Sequence, residues 1–579
     1  MLKSGPMYFS YGLDLTNSFQ RQASSDNSLP LWQRADDRFF WNKFISTDLV
    51  DFRAGGVNSS GFRATSTQPG VDPYILPVIS GMLRLTTTAV KGKPLGFLLI
   101  TRRSRHRTGT RYFSRGIDEE GHVSNFNETE QAIVLNDADP SSSFALGSSS
   151  GQAASRDVHI LAYVQTRGSV PVYWAEVNKL KYTPDLQIRG VDSAVNSAKL
   201  HFEEQIKLYG DVYMVNLVNQ KGREKRVKDA YEQMTRYLQS SSTEEAASDA
   251  KSPETVHIIE APSVKQQFDR LHYVYFDFHN ETKGLKWHRA QLLLDELNEP
   301  LLKQQYFHGV YSLNDRSGKV DVRSLQKSVV RTNCMDCLDR TNVVQSMLGR
   351  FTLNRMLQDL AVLRKGEAAQ EDASFEHTFR NVWADNADVV SRSYSGTGAL
   401  KTDFTRTGNR TKAGALQDLS NSITRYVRNN FMDGPRQDGF DIFSGAFLPD
   451  TSHSRGTLLF VDHRPLLIQS VPYVLLGCLF FVFIAAITHR LPDSSLWPLR
   501  FLQIFSTAVA GYCGNFMWTH GTLYVNWPKL NTPQYATEGV QDALVKATKD
   551  PLLGPLVKHG RVRSDGRMAH LEEGKKRKE

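Results

Sequence analysis

The feature that most constrains the fold of this chain is one long apolar run near its C-terminal end. Residues 466–487 contain the segment VPYVLLGCLFFVFIAAI, and Arg464, His489 and Arg490 flank the run. A helix of about 20 apolar residues crosses a hydrocarbon layer of ~30 Å and satisfies its own backbone hydrogen bonds there. The alternative is a buried core helix, but the run is apolar on all sides and has charged flanks. The sequence therefore predicts a transmembrane helix at 466–487.

A second, weaker apolar stretch covers residues 501–518, where Gln503 and Asn515 interrupt it and small residues are frequent. Small residues let one membrane helix pack closely against another, so we expect a second transmembrane helix here. Two spans place the preceding and following segments on the same side of the membrane. The following segment, 519–579, is basic and ends in KKRKE. Because positive charge favours the cytosol, we predict that 519–579 is a basic cytosolic tail. Residues 448–465, between the α/β region and the first span, are predicted to be a tether.

Charge and cysteine usage limit the partners and the compartment. The 579-residue chain carries a formal net charge of +9, which favours an anionic partner, either nucleic acid or an acidic membrane face. Charge alone does not choose between them, but with the predicted spans we expect a membrane partner and no nucleic acid. Two of the four cysteines, Cys478 and Cys513, lie in apolar segments, so a disulfide framework is not expected and a reducing compartment is.

The soluble part divides by composition. Residues 1–135 alternate short β-rich runs with turns, which predicts a β-rich N-terminal region and the start of a second domain. Residues 158–447 alternate strand and helix patterns, which predicts an α/β catalytic domain. Two Ser- and Ala-rich stretches, 136–157 and 239–253, have few large apolar residues and are predicted to be disordered insertions.

A short polar loop at the centre of the α/β region carries the clearest chemical signal. The segment SVVRTNCMDCLDRTN at 328–342 places Cys334 six residues before Arg340, after a β-branched run and before a helical pattern. A strand, a tight loop and a helix N-terminus together form a cradle of backbone N–H groups for phosphate. Spacing alone is a weak signal, but this context strengthens it. The predicted phosphate-binding loop comprises Met335, Asp336, Cys337, Leu338, Asp339 and Arg340.

The residue types in this loop suit phosphoryl transfer through a cysteinyl-phosphate. Backbone N–H groups and a guanidinium lower the pKa of a thiol, which makes Cys334 a nucleophile, and Arg340 can bind two phosphate oxygens. Asp336 is the first candidate to protonate the leaving group and Asp339 the second, although either carboxylate could instead be structural. Thr341 is a candidate hydrogen-bond donor to the sulfur, and with Asn342 it completes the predicted site. This chemistry requires no metal and no cofactor.

Three other interpretations of Cys334 and Cys337 fit the sequence less well. A zinc site needs a second pair of ligands, and the remaining cysteines lie in the predicted membrane segments. A dithiol redox motif fits the spacing but does not call for Arg340. A simple buried cysteine is disfavoured because the loop is polar.

Several longer motifs allow a family comparison. The chain resembles the Sac (suppressor-of-actin) phosphoinositide phosphatase family, and within it the members anchored in the endoplasmic reticulum by two C-terminal spans. Besides RTNCMDCLDRTN at 331–342, the motifs that carry the resemblance are YGLDLTNSFQR at 11–21, RRSRHRTGTRYFSRGID at 102–118, VQTRGSVPVYW at 164–174, YFDFHNETKG at 275–284, WADNADVVSRSYSGTGALKTDFTRTG at 383–408 and QDGFDIFSG at 437–445.

The resemblance implies a function and a location. It implies hydrolysis of phosphatidylinositol 4-phosphate and other phosphatidylinositol monophosphates without a metal. Cys334 is then the nucleophile, Arg340 the phosphate-binding arginine and Asp336 the loop acid. The expected partners are phosphoinositide lipids and the membrane, and no protein partner is predicted. The expected location is the endoplasmic reticulum membrane, and also the Golgi, with the catalytic domain and C-terminus in the cytosol.

The start of the chain departs from the family pattern, and the arginine-rich run at 102–115 has two interpretations. The family's YGLDLTNS segment usually follows a longer stretch, whereas here only ten residues precede it, so we expect an incomplete N-terminal β domain. The short start keeps open a non-enzymatic lipid-binding or tethering protein. A protein phosphatase that uses the same loop is a second alternative, from a neighbouring substrate class. The arginine-rich run at 102–115 either faces acidic lipid headgroups or forms a solvated, ion-paired surface between domains.

Overall fold

The structure is a computed structural model. It describes residues 5–55, 67–136, 157–249, 268–283, 287–312, 320–408, 410–448, 464–487 and 497–555, together with Asp462 and Ser495. For residues 240–249, 287 and 288 the description is of the backbone alone.

The described strands range from two to twelve residues, and most of the described helices have two turns or more. The strands are β1 Met7–Tyr8, β2 Ile79–Val90, β3 Lys93–Arg103, β4 Asn127–Asn136, β5 Asp157–Arg167, β6 Trp174–Val177, β7 Asp185–Ile188, β8 Asp211–Asn216, β9 Leu271–Tyr275, β10 Phe307–Ser312, β11 Val320–Ser324 and β12 Ser328–Asn333. The helices are α1 Phe19–Ala23, α2 Leu31–Arg34, α3 Thr47–Arg53, α4 Val195–Tyr209, α5 Lys225–Asp249, α6 Phe278–Glu281, α7 Gln291–Gln304, α8 Asp339–Asp359, α9 Ala373–Ser395, α10 Thr402–Thr407, α11 Lys412–Phe431, α12 Asp433–Ser444, α13 Leu466–Ile487, α14 Trp497–Thr519 and α15 Gln534–Ala547.

One sheet joins the two parts of the soluble region. Within the described residues, ten strands form this sheet, and its main path runs β1-β2-β3-β4-β5-β12-β8-β9. The pairs from β1 to β5 are antiparallel, whereas β12 runs parallel to β5 and to β8, and β8 runs parallel to β9. Strand β10 also pairs with β5, and β11 pairs with β10. A β-rich N-terminal part and an α/β part are therefore both present, as the sequence predicts.

The parallel part is covered by helices on both faces. Along β12 successive valines point to opposite sides, so Val329 joins one buried cluster and Val330 the other. The first cluster includes residues of α4 and α5, and the second includes residues of α7, α8 and α9. A parallel sheet needs this cover because both of its faces are apolar. The C-terminal end of β12, where the polar loop begins, is consequently held in a rigid setting.

The predicted membrane helix at 466–487 coincides with α13. Among the described residues, α13 is the helix that is long and apolar enough to cross a membrane, and its 18-residue apolar window is 6% buried. Helix α14 packs beside it and buries small side chains such as Ser506, Ala510 and Cys513. It does not reach the apolarity of α13, so its role as a second span stays a prediction.

The structure describes only parts of the two predicted disordered insertions. Helix α5 continues to Asp249, into the insertion predicted at 239–253, whose disorder stays a prediction. The Glu and Ala residues in this stretch have high helix propensity and can extend a helix that is already nucleated. The insertion predicted at 136–157 lies outside the described residues except at its two ends, and so does most of the tether predicted at 448–465.

The first part of the predicted basic tail is docked on the catalytic body. After α14 the chain passes Trp527, whose ring lies 5.5 Å from that of Phe113. The hydroxyl of Tyr535, in α15, then donates a hydrogen bond to the carbonyl oxygen of Tyr112 at 3.2 Å. Residues 556–579, with the basic C-terminal end, lie outside the described residues.

Candidate active site

The predicted cradle forms where β12 ends and α8 begins. Cys334 follows β12 directly and is 3% exposed, and Asp339 is the first residue of α8. The loop between them turns sharply because Cys337 adopts a left-handed conformation, with φ of +53°. This turn aims the backbone N–H of Cys337 at Sγ of Cys334, at 3.1 Å. The loop therefore directs a hydrogen-bond donor at the sulfur, as a stabilised thiolate requires.

The two cysteines of the loop differ in acidity. Hydrogen bonding from Cys337, the positive charge of Arg340 and the nearby Thr341 hydroxyl outweigh the effect of burial and lower the pKa of Cys334 to about 6. Within the part of the chain that the structure describes, the Thr341 hydroxyl has no hydrogen-bond partner of ordinary geometry. Burial and the adjacent sulfur raise the pKa of Cys337 well above its usual value. Cys334 is therefore the thiolate near neutral pH, and Cys337 remains a thiol.

The guanidinium of Arg340 is held by a carboxylate that the sequence analysis missed. Its two terminal nitrogens donate to Oε2 and Oε1 of Glu224, both at 2.9 Å. It also donates to the carbonyl oxygen of Leu217 at 3.0 Å and to Oδ1 of Asn219 at 2.9 Å. This bidentate geometry is the one in which a guanidinium binds a phosphate. A phosphate would therefore have to exchange with Glu224 or share the guanidinium with it.

The loop acid Asp336 is bound by two arginines. Nε of Arg111 donates to its Oδ1 at 3.0 Å, and Nη2 of Arg115 donates to the same oxygen at 2.6 Å. Although burial opposes it, the positive charge of these arginines holds the pKa of Asp336 well below its usual range. The carboxylate is ionised in this arrangement and accepts hydrogen bonds rather than donating them. Its role as the general acid stays a prediction.

The second candidate acid, Asp339, has a raised pKa, whereas that of Asp336 is lowered. Oδ1 of Asp339 accepts a hydrogen bond from the backbone N–H of Leu400 at 2.9 Å. Burial raises the pKa of Asp339 above its usual value, against the attraction of Arg425. Of the two candidate acids, Asp339 is therefore the one that retains a proton to higher pH.

The other predicted loop residues support this geometry. The carbonyl oxygen of Met335 accepts a hydrogen bond from Arg115 at 2.9 Å, and Leu338 joins a small buried cluster. The side-chain amide of Asn342 donates to the carbonyl oxygen of Trp383, in α9, at 3.2 Å. These contacts fix the loop to its neighbours.

The arginine-rich run at 102–115 is largely an internal network. Arg102 is fully buried and pairs with Glu128 at 3.0 Å and with Glu130 at 2.7 Å. Arg111 and Arg115 belong to the same run and hold Asp336, as described above. The ion pairing proposed for the run is confirmed, but the expectation of a solvated surface is wrong for Arg102 and Arg115, which are buried, whereas Arg111 is partly exposed. The network connects the N-terminal strands with the catalytic loop.

A further buried arginine lies beneath the loop. Arg167, at the end of β5, is fully buried, and its Nη2 donates to the side-chain oxygens of Gln345 and Asn342 in α8. Its Nε and Nη1 have no hydrogen-bond partner among the described residues. Burial lowers the pKa of Arg167 to about 10, whereas the sulfurs of Cys337 and Cys334 raise it. A buried cation without a carboxylate partner is costly. The charge of Arg167 therefore suits a site in which a neighbouring sulfur is a thiolate.

A strand, a polar loop with a low-pKa cysteine and a helix N-terminus define the class as an α/β phosphate-binding site. Comparisons with known proteins agree with this class. Residues 1–283 match the SacI homology domain. The chain is 41% identical over 532 residues to the phosphatidylinositol-3-phosphatase SAC1 of Saccharomyces cerevisiae, which covers 91% of this chain and 75% of that protein. It is 37% identical over 541 residues to the phosphatidylinositol-3-phosphatase SAC1 of Drosophila melanogaster, covering 91% and 77%.

The similarity extends well beyond the catalytic loop, because each alignment covers nine-tenths of the chain. The chain therefore belongs to the Sac phosphoinositide phosphatase family.

Proposed function

We propose that this protein is a phosphoinositide phosphatase that converts phosphatidylinositol monophosphates to phosphatidylinositol, with the 4-phosphate as the foremost substrate. The observation that carries the proposal is the buried Cys334, whose pKa is lowered to about 6 by hydrogen bonding from Cys337 and the charge of Arg340. The relatives are named for the 3-phosphate, so both isomers belong in the test. Membership of the family supports the substrate class, and the motif resemblance suggests the 4-phosphate.

The proposed reaction has two steps. The Cys334 thiolate attacks phosphorus, an S–P bond forms, and the P–O bond to the inositol ring breaks. The leaving oxygen takes a proton from a loop acid, and water then cleaves the S–P bond to release phosphate and the thiolate. Arg340 binds the phosphoryl oxygens in both steps once it has moved from Glu224. The raised pKa of Asp339 favours it as the proton donor over Asp336, which was the first candidate.

The membrane part of the proposal concerns where the site works. We infer that α13 and α14 form a two-span hairpin in the endoplasmic reticulum membrane, with the catalytic body and C-terminus in the cytosol. The length and composition of α13 support the first span. The packing of α14 against α13 supports the second.

The central test is phosphate release by the full-length protein from short-chain phosphatidylinositol 4-phosphate and 3-phosphate. Cys334→Ser should abolish release from both, whereas the matched change Cys337→Ser should retain most of it, because only Cys334 is the thiolate. Turnover by the Cys334→Ser variant would refute the mechanism. Comparable release from phosphotyrosine peptides would instead favour a protein phosphatase. Lipid binding without turnover by the unaltered protein would favour a tethering protein.

A second experiment identifies the proton donor. Asp339→Asn and Asp336→Asn are each assayed on the lipid and on p-nitrophenyl phosphate, whose leaving group needs no proton. Loss of the general acid should lower the rate on the lipid by about 10²–10⁴-fold and have much less effect on p-nitrophenyl phosphate. We expect this pattern for Asp339→Asn, and equal losses on both substrates for Asp336→Asn.

A further inference from the structure

Helix α11 has the reverse of the polarity that a surface helix normally shows. Its large apolar side chains point outward and lie three or four residues apart, and exposure reaches 68% at Leu416 and 58% at Ile423. The residues that α11 buries are polar: Arg425, Asn429 and Asn430. An ordinary surface helix turns its apolar face to the core. We call the outward set the apolar stripe, and it comprises Leu416, Leu419, Ile423, Val427 and Phe431.

The polar side of α11 is fixed to the body of the protein. Arg425 donates to Oγ1 of Thr397 and to the carbonyl oxygen of Gly398, both at 3.0 Å. The side-chain amide of Asn429 donates to the carbonyl oxygen of Ser395 at 3.0 Å. Rotating the helix to bury the stripe would leave these polar groups without partners, which is costly. The outward direction of the stripe is therefore set by the fold.

One end of the stripe lies beside the predicted membrane helices. Asn526, seven residues beyond the end of α14, donates its backbone N–H to the carbonyl oxygen of Asn430 at 2.8 Å and its side-chain amide to that of Phe431 at 3.0 Å. Arg464, just before α13, donates to the carbonyl oxygen of Leu523 in the same returning segment. The C-terminal end of α11 and the neighbouring ends of both membrane helices are thus joined through residues 523–526.

The polar side of α11 is also close to the catalytic loop. The segment that Arg425 holds, at Thr397 and Gly398, is followed by Leu400, whose backbone N–H binds Asp339. The helix therefore lies between the loop and the predicted membrane surface, with its apolar stripe facing away from the protein.

We propose that α11 is an interfacial membrane helix whose apolar stripe inserts into the headgroup–acyl boundary of the bilayer that holds α13. Outward apolar side chains on an otherwise polar helix, with Lys412 exposed at its start, are the features of helices that lie in this layer. A lipid surface is the occupant that fits because the stripe is continuous with the membrane helices through Asn526. Together with the proposed function, on which this part rests, insertion would orient the catalytic loop towards lipid headgroups.

The first test measures insertion without using activity. The full-length chain, with its four native cysteines changed to Ser, is reconstituted in phosphatidylcholine–phosphatidylserine nanodiscs and labelled with an environment-sensitive fluorophore at Ile423→Cys. The matched control is Gln417→Cys, an exposed polar position of the same helix outside the stripe. Insertion predicts a blue-shifted spectrum at 423, quenched by nitroxide lipids, and a water-like spectrum at 417. A water-like spectrum at both positions would overturn the proposal.

Another occupant would give a different result. A blue shift at 423 without quenching by nitroxide lipids would mean that protein covers the stripe, which also overturns the proposal. Cross-linking between labelled chains would then identify that protein as a second copy.

The second test separates orientation from catalysis. The double change Leu419→Asp/Ile423→Asp is expected to lower phosphate release from long-chain substrate in bilayers by about tenfold, because charges cannot enter the apolar layer. Release from a soluble short-chain substrate should be unchanged, and Gln417→Asp should affect neither. Equal rates for the double variant and the unaltered protein in bilayers, or equal losses on both substrates, would overturn the orienting role. No release by the unaltered protein would refute the proposed function, and the fluorescence test would still decide insertion.

Discussion

The hydrogen bonding between Cys337 and Cys334 gives a prediction about the acidity of the nucleophile. Changing Cys337 to Ala removes the side chain whose hydrogen bonding is the largest cause of the low pKa of Cys334. The change keeps the backbone N–H that donates to the sulfur at 3.1 Å and leaves the left-handed turn equally strained. Changing Cys337 to Ser keeps a donor at the same place and serves as the matched control. The pKa of Cys334 should therefore rise in the Ala variant and stay near its present value in the Ser variant.

The size of this effect follows from the strength of hydrogen bonds to charged groups. Such a bond contributes about 1.5–3 kcal/mol, which corresponds to roughly one to two pKa units. With a pKa of about 6, Cys334 is mostly thiolate at pH 7. In the Ala variant the pKa should be one to two units higher, and the thiolate fraction at pH 7 should fall to roughly 10–50%.

The assay is the pH dependence of alkylation at Cys334 by iodoacetamide, followed by mass spectrometry with fragmentation that resolves Cys334 from Cys337 on the peptide they share. Cys478→Ser and Cys513→Ser remove the other two thiols from the background. At pH 7 the Ala variant should react roughly two to nine times more slowly than the unaltered protein, and near pH 9.5 the rates should converge. A midpoint near pH 6 in the Ala variant, or one near 8.5 in the unaltered protein, would refute the reasoning.

Three further predictions concern charges around the site and the fold. Glu224→Gln removes the carboxylate that competes for Arg340, so inorganic phosphate should inhibit about three- to tenfold more tightly; an unchanged or weaker inhibition constant contradicts this. Arg167→Met should raise the midpoint of Cys334 alkylation by about one pH unit, whereas Arg167→Lys should raise it less, and identical midpoints in all three proteins would exclude an electrostatic role. Burial raises the pKa of Asp433 to about 6, so the stability that its proton contributes is lost as the pH rises from the unfolded pKa, about 3.9, through the folded one. Asp433→Asn should therefore gain about 2 kcal/mol of stability relative to the unaltered protein between pH 4.5 and 7.5, and a constant gap in thermal unfolding would count against it.

Local patterns predicted the loop that carries Cys334 and the long apolar helix α13. The Val-Val pair, the polar loop and the helical pattern after it gave β12, the cradle and α8 with the correct order. The uninterrupted apolar run gave α13 at its observed bounds. These features depend on neighbouring residues, and a sequence displays neighbours directly.

The electrostatic partners could not be predicted in the same way. Glu224 meets Arg340 across 116 positions of the chain, and Arg111 meets Asp336 across 225. Which arginine meets which carboxylate depends on the packing of strands and helices that are far apart in sequence. The outward stripe of α11 was missed for a related reason, since an amphipathic pattern does not say which face meets the body of the protein.

Strand β5 has a consequence for how this protein can be divided. Its backbone pairs with β4 along one edge and with β10 and β12 along the other, so it belongs to both parts of the sheet. A recombinant fragment that begins at residue 158 would lose β4 and leave an open edge ready to pair with other chains. Expression of the catalytic part alone should therefore give aggregates, and damage in the N-terminal strands should appear as lost enzyme abundance. For the effect of mutations and for engineering, the N-terminal strands and the α/β part therefore behave as one folding unit.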